Sequence, residues 1–130
     1  MEYLLNAIGI SMVRHNLILK FGKLSKDEFC EKAKASDIKN AIGHSGTIEL
    51  INTLCGSHLQ TNRIMVTLNP GDTAYVISIA FRLEEGKTLT FDEINKLYND
   101  GKILLYKVDV YIINDENNET INRQKSLQIL

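Results

Sequence analysis

Apolar and polar positions alternate along this chain with two different periods, and each change of period marks an element. From Leu4 to Ile10 the apolar side chains fall on both alternating faces, as in a strand covered on either side. Asn16 to Phe21 reads as a second strand. Ser25, followed three residues on by Glu28, is a capping box, and Phe29, Cys30 and Ala33 give the short helix behind it an inner face. After a polar link, residues 36–40, the residues Ile48, Ile51, Leu54 and Cys55 recur at helical spacing until Gly56 stops them. Arg63 to Leu68 alternates again, with Ile64, Val66 and Leu68 on one face. Asn69-Pro70-Gly71-Asp72 places Pro and Gly where a type II turn wants them, so the strand expected over 74–83 should return as the hairpin partner of 63–68. Thr90 and Glu93 form a second capping box; it opens a helix carrying Ile94, Leu97 and Tyr98 and ending at Gly101, before a last strand from Ile103 to Ile113. The predicted order, β-β-α-α-β-β-α-β, is an α/β fold: one domain over residues 1–112, a mixed five-stranded sheet with helices packed against it. Residues 113–130 read as a C-terminal extension of unassigned role, mostly polar until Leu127, Ile129 and Leu130.

Composition narrows the partners more than the fold. The 130 residues suffice for one compact domain, and 44% apolar content supports a real core. Fifteen basic against sixteen acidic side chains leave a formal charge of −1, which argues against a coat for long nucleic acid and leaves room for a small anionic ligand held by a few placed cations. Cys30 and Cys55 lie in apolar helical contexts with no Cys-x-x-Cys spacing, and read as buried reduced thiols. The N-terminus lacks the basic region and apolar core of a signal peptide, and no apolar run approaches the ~20 residues of a membrane span. A cytoplasmic protein with no membrane partner is expected.

Two segments could carry chemistry. Ile42-Gly43-His44-Ser45-Gly46-Thr47 places an imidazole at the mouth of a helix, between two glycines that would let backbone approach a ligand, with hydroxyl donors alongside. Forty residues on, Arg82-Leu83-Glu84-Glu85-Gly86 places a guanidinium and two carboxylates where an apolar run becomes a loop. In the strand before it, Tyr75, Ile77, Ile79, Phe81 and Leu83 share one bulky face; Ala74, Val76, Ser78, Ala80 and Arg82 share the other. That small face either receives a helix, with Arg82 paired to a rim carboxylate, or floors a ligand cavity into which Arg82 reaches. Asn6, an amide inside an apolar run, needs either a loop to cap or a ligand to touch. Arg63 reads from pattern alone as solvated, and His15 and His58 as turn and helix-end residues. With no Gly-rich phosphate loop, no Cys/His zinc spacing and no acidic cluster in the sequence, no metal and no cofactor is expected.

At these residues the sequence resembles the small viral ring nucleases that act as anti-CRISPR proteins against type III systems, long catalogued as a domain of unknown function from archaeal viruses, with relatives in phages and mobile elements. The resemblance spans most of residues 3–108; its most specific pieces are Leu5-Asn6-Ala7, Ala41-Ile42-Gly43-His44, Thr47-Ile48, Leu50-Ile51-Asn52-Thr53-Leu54-Cys55-Gly56, Asn62-Arg63 and Arg82-Leu83-Glu84-Glu85-Gly86-Lys87. It implies a homodimer that binds cyclic tetra-adenylate across its two-fold axis and opens the ring without metal, by in-line attack of a ribose 2′-hydroxyl. Carried over, His44 matches the catalytic histidine, Arg82 the arginine that steadies transition-state charge, and Glu85 the acidic residue that supports the site. Asn6, Ser11, Thr47 and Arg63 match ligand-contacting positions. Several archaeal-virus members have Asp-Ser where this chain has Ser45-Gly46, and Gln at Phe81, which bears on nucleobase contacts. The competing expectation is a non-catalytic binder, sensor or sponge of cyclic oligoadenylate using the same pocket.

Overall fold

A computed structural model describes residues 1–84 and 86–113. Five strands, β1 (Glu2–Leu5), β2 (Leu17–Lys23), β3 (Lys39–Asn40), β4 (Thr73–Ile79) and β5 (Ile103–Ile112), form one mixed sheet in the order β2-β5-β4-β1-β3. β1 runs parallel to both β3 and β4, while β5 runs antiparallel to β4 and β2. Helices α1 (Lys26–Ala33), α2 (Ser45–Cys55) and α3 (Phe91–Asn99) bury their apolar sides with Leu4, Tyr75, Ile77, Ile103 and Leu105 of the sheet. Both capping boxes form, Ser25 with Glu28 and Thr90 with Glu93, and Gly56 closes α2 in the left-handed conformation.

The other sheet face is covered by chain rather than helix. Val66 and Leu68 pack there with Tyr3, Leu5, Ala74, Val76, Val108 and Val110. The expected strand over 63–68 and its hairpin with β4 are therefore not formed. Val66 and Leu68 are buried by lying across the face of the sheet, so their alternation marks an inward side and not a ladder. β4 has no free edge to offer, being paired with β1 on one side and β5 on the other. Among the described residues the segment makes one isolated bridge, Leu68 with Val13, outside the five strands. The turn itself stands: the Asp72 N–H donates to Asn69 O at 3.0 Å and Gly71 has φ of 92°. The fifth strand is instead β3, two residues within the stretch expected to be a polar link. The small face of β4 is thus neither helix-covered nor a cavity floor where Ala74 and Val76 lie.

β1 and β4 are shorter than the pattern suggested, ending at Leu5 and Ile79. Asn6 consequently falls just past β1, Ser11 falls in a 3-10 turn (Ile10–Met12), and Arg82 falls in the loop after β4. The cysteines are not reduced thiols: Cys30 of α1 and Cys55 of α2 form a disulfide across facing helices, with Cα atoms 5.0 Å apart. Sequence spacing says nothing of this, because the two helices meet only in the folded chain. Near the opposite end of the sheet Tyr75 donates to Glu2 Oε2 at 2.7 Å, and burial, reinforced by that bond, pushes its phenol above the ordinary tyrosine range. Among the described residues no helix is long and apolar enough to cross a membrane. Residues 114–130, most of the expected extension, lie outside the described residues.

Candidate active site

Parallel strands β3, β1 and β4 all present their carboxyl ends at one edge of the sheet, and α2 begins there because it follows β3 directly. Ligands of open α/β sheets gather at such an edge. His44 is the N-cap of α2: the Thr47 N–H donates to its Nδ1 at 3.1 Å, and Thr47 Oγ1 lies 3.0 Å from the same atom. A nitrogen that accepts from an amide carries a lone pair, so in the neutral ring the proton resides on Nε2. The exposed imidazole therefore keeps Nε2 as its free edge.

The two flanking glycines serve side chains of the protein itself. A Cβ on Gly46 would stand 3.0 Å from His44 Cε1 and 3.2 Å from Leu83 Cδ1, so the bare position is what lets the ring lie over the first turn of α2. A Cβ on Gly43 would stand 2.8 Å from Arg63 Cβ. Arg63 is held there by amide ties from the end of β3 and the residues after it to the segment 60–62: Asn40 Nδ2 donates to Gln60 O at 2.7 Å, Asn62 Nδ2 to Asn40 O at 2.8 Å, and the Asn62 N–H to Ile42 O at 2.8 Å. A residue that reads as merely solvated is thus delivered next to the residue preceding His44.

Between α2 and the loop after β4 opens a cavity of about 980 Å³. His44, Ser45, Glu49 and Thr53 line it from the helix; Arg82, Leu83 and Lys87 line it from the loop. His44 and Arg82, far apart in the chain, share this one cavity, and Arg82 is exposed with no ion pair among the described residues. Glu85 lies outside the described residues. Thr47 is buried, with its polar atoms turned to His44, and is not on the cavity wall. Asn6, just past the carboxyl end of β1, and Ser11 are exposed and are likewise absent from this wall.

Sequence reasoning overlooked Glu49, Thr53, Leu83 and Lys87 as wall residues. For two of them a signal was present: Ser45, Glu49 and Thr53 recur every four residues, a polar stripe along one side of α2. The Asn40–Asn62 tie had no local signal, since the partners lie 22 positions apart.

The family described as STIV B116-like matches residues 2–106. An uncharacterized protein, ORF116 of Acidianus filamentous virus 1, is 39% identical over 114 residues, covering 86% of this chain and 97% of that protein. The solved structure of B116 from Sulfolobus turreted icosahedral virus superimposes with a TM-score of 0.77 at 42% identity, covering 83% of this chain and 97% of that one.

Proposed function

The chain belongs to the STIV B116-like family, a family with members in archaeal viruses, and joining that membership to the resemblance carried by its motifs, we propose that it is a metal-independent ring nuclease. The substrate is cyclic tetra-adenylate, the second messenger of type III CRISPR defence, and its destruction switches that signal off. The single observation that carries the reading is the meeting of His44 and Arg82 in one cavity, with His44 Nδ1 already occupied. In the neutral ring Nε2–H is turned outward as a hydrogen-bond donor, and the form that delivers a proton to a leaving oxygen is the imidazolium.

In the proposed reaction a ribose 2′-oxygen bonds to the adjacent phosphorus and gives up its proton to solvent. The bond from phosphorus to the 5′-oxygen breaks opposite it, and the imidazolium form of His44 delivers a proton to that leaving oxygen. The products are linear, with 2′,3′-cyclic phosphate ends. Arg82 neutralises charge gathering on the phosphoryl oxygens. Glu85 orients His44 or returns its proton. Arg63, Asn6 and Ser11 contact the ligand. Two copies of the chain about a two-fold axis would set four guanidiniums, from Arg63 and Arg82, around the four phosphates without making the protein basic.

The test is incubation with cyclic tetra-adenylate in EDTA, followed by chromatography. Linear products ending in cyclic phosphate are expected. Tight binding with an intact ring would favour the sponge, and loss of cleavage on chelation alone would remove the metal-free mechanism.

A further inference from the structure

We propose that Thr47 is a positioning residue that acts through His44, holding the imidazole in one place in both of its charge states. This rests on the reading of His44 as proton donor, and it replaces the ligand contact that the resemblance implies for this position. Thr47 is 3% exposed, so its hydroxyl is not available to a ligand in the cavity. Its two polar atoms both address the same ring nitrogen, N–H at 3.1 Å and Oγ1 at 3.0 Å.

The two atoms differ in what they can do. The backbone N–H only donates, and so holds the neutral ring alone. When the ring gains its second proton, Nδ1 becomes a donor and that amide turns from partner to obstacle. The hydroxyl can reverse: it donates to a bare Nδ1 and accepts from a protonated one. An imidazole that must carry a proton to a leaving oxygen and give it up passes through both states each turnover. The amide opposes the charged ring in either case; without the hydroxyl, that ring would also lack an acceptor for its Nδ1–H and would leave its seat. Losing the seat matters, since misplacement of a reacting group by about an ångström can cost on the order of 100-fold in rate.

Thr47→Val keeps shape and the backbone cap and removes only the reversible partner; Thr47→Ser keeps it. The other charged groups on the cavity wall, Glu49 of α2 and Arg82, Glu84 and Lys87 of the loop, together with Arg63 beside Gly43, are unchanged in both variants. Nuclear magnetic resonance of the full-length protein gives a readout independent of turnover. The contact between the His44 Cε1 proton and Gly46 should persist through acid titration in the wild type and Thr47→Ser, and disappear on protonation in Thr47→Val. In assays with cyclic tetra-adenylate, Thr47→Val should lower kcat on the order of 10- to 100-fold with KM nearly unchanged. The limb of its rate–pH profile that reports the imidazolium should move to lower pH, and Thr47→Ser should restore both. If affinity falls in step with rate, or if the ring contact survives protonation in Thr47→Val, the assignment is overturned. A wild type that binds and never cleaves would remove the nuclease reading, and the ring contact would still decide the role of Thr47.

Discussion

One side chain, His44, is asked to do two separable things: it caps α2 and it faces the cavity. His44→Asn separates them, because asparagine is a good N-cap and carries no proton to give. That variant should keep its denaturation midpoint near wild type while cleavage falls by ~10²–10⁴. His44→Ala should lose both, the cap as about 1 kcal/mol in denaturant unfolding. Gly43 makes the complementary point, that a position can matter through an absent atom. Gly43→Ala drives a methyl against Arg63 Cβ and, at 3.2 Å, against its Cα, where backbone has to move. A loss of about 1–3 kcal/mol is expected in the same unfolding experiment. At this scale the sequence was informative about His44, where glycines and a helix start advertise the residue. Pattern alone read Arg63 as solvated and only the resemblance singled it out, because its placement comes from amides elsewhere in the chain.

Elements built from local rules were legible; those built from remote contacts were not. The capping boxes at Ser25 and Thr90, the α2 stop at Gly56 and the Asn69–Asp72 turn each depend on neighbours within a few residues, and each forms. Segment 62–68 and β3 depend on which strand reaches β1 and β4 first, a competition no local pattern records. The disulfide is of the same kind. Its two cysteines stand 25 residues apart, and closing a loop of that size stabilises by about 3.5 kcal/mol on the chain-entropy account. Unfolding with and without reductant should differ by that amount, with the reduced protein weaker. Pairing of β1 with β4 brings a pH dependence through Tyr75, whose folded-state pKa is raised, first by burial and then by Glu2. Its contribution is therefore complete below the ordinary tyrosine value of about 10 and fades as pH climbs through and beyond it. Denaturant midpoints should fall in that alkaline window, and Tyr75→Phe should remove this part of the fall.

For the whole molecule, the cavity belongs to a single chain, since His44 and Arg82 line it together. In the proposed dimer each subunit would then own a complete pair. Mixing His44→Ala and Arg82→Ala chains should yield no recovery of cleavage, whereas recovery would mean that the pair forms across the axis; sedimentation velocity would establish the dimer itself. The amide ties that deliver Arg63 have a further consequence in time. Hydrolysis of the Asn40 side chain to a carboxylate would set oxygen against the Gln60 carbonyl, and hydrolysis at Asn62 would do the same against Asn40. Heat would then age the site by spontaneous deamidation while the apolar interior stayed sound, and isoaspartate mapping of protein held hot would find Asn40 and Asn62 altered as catalysis declined.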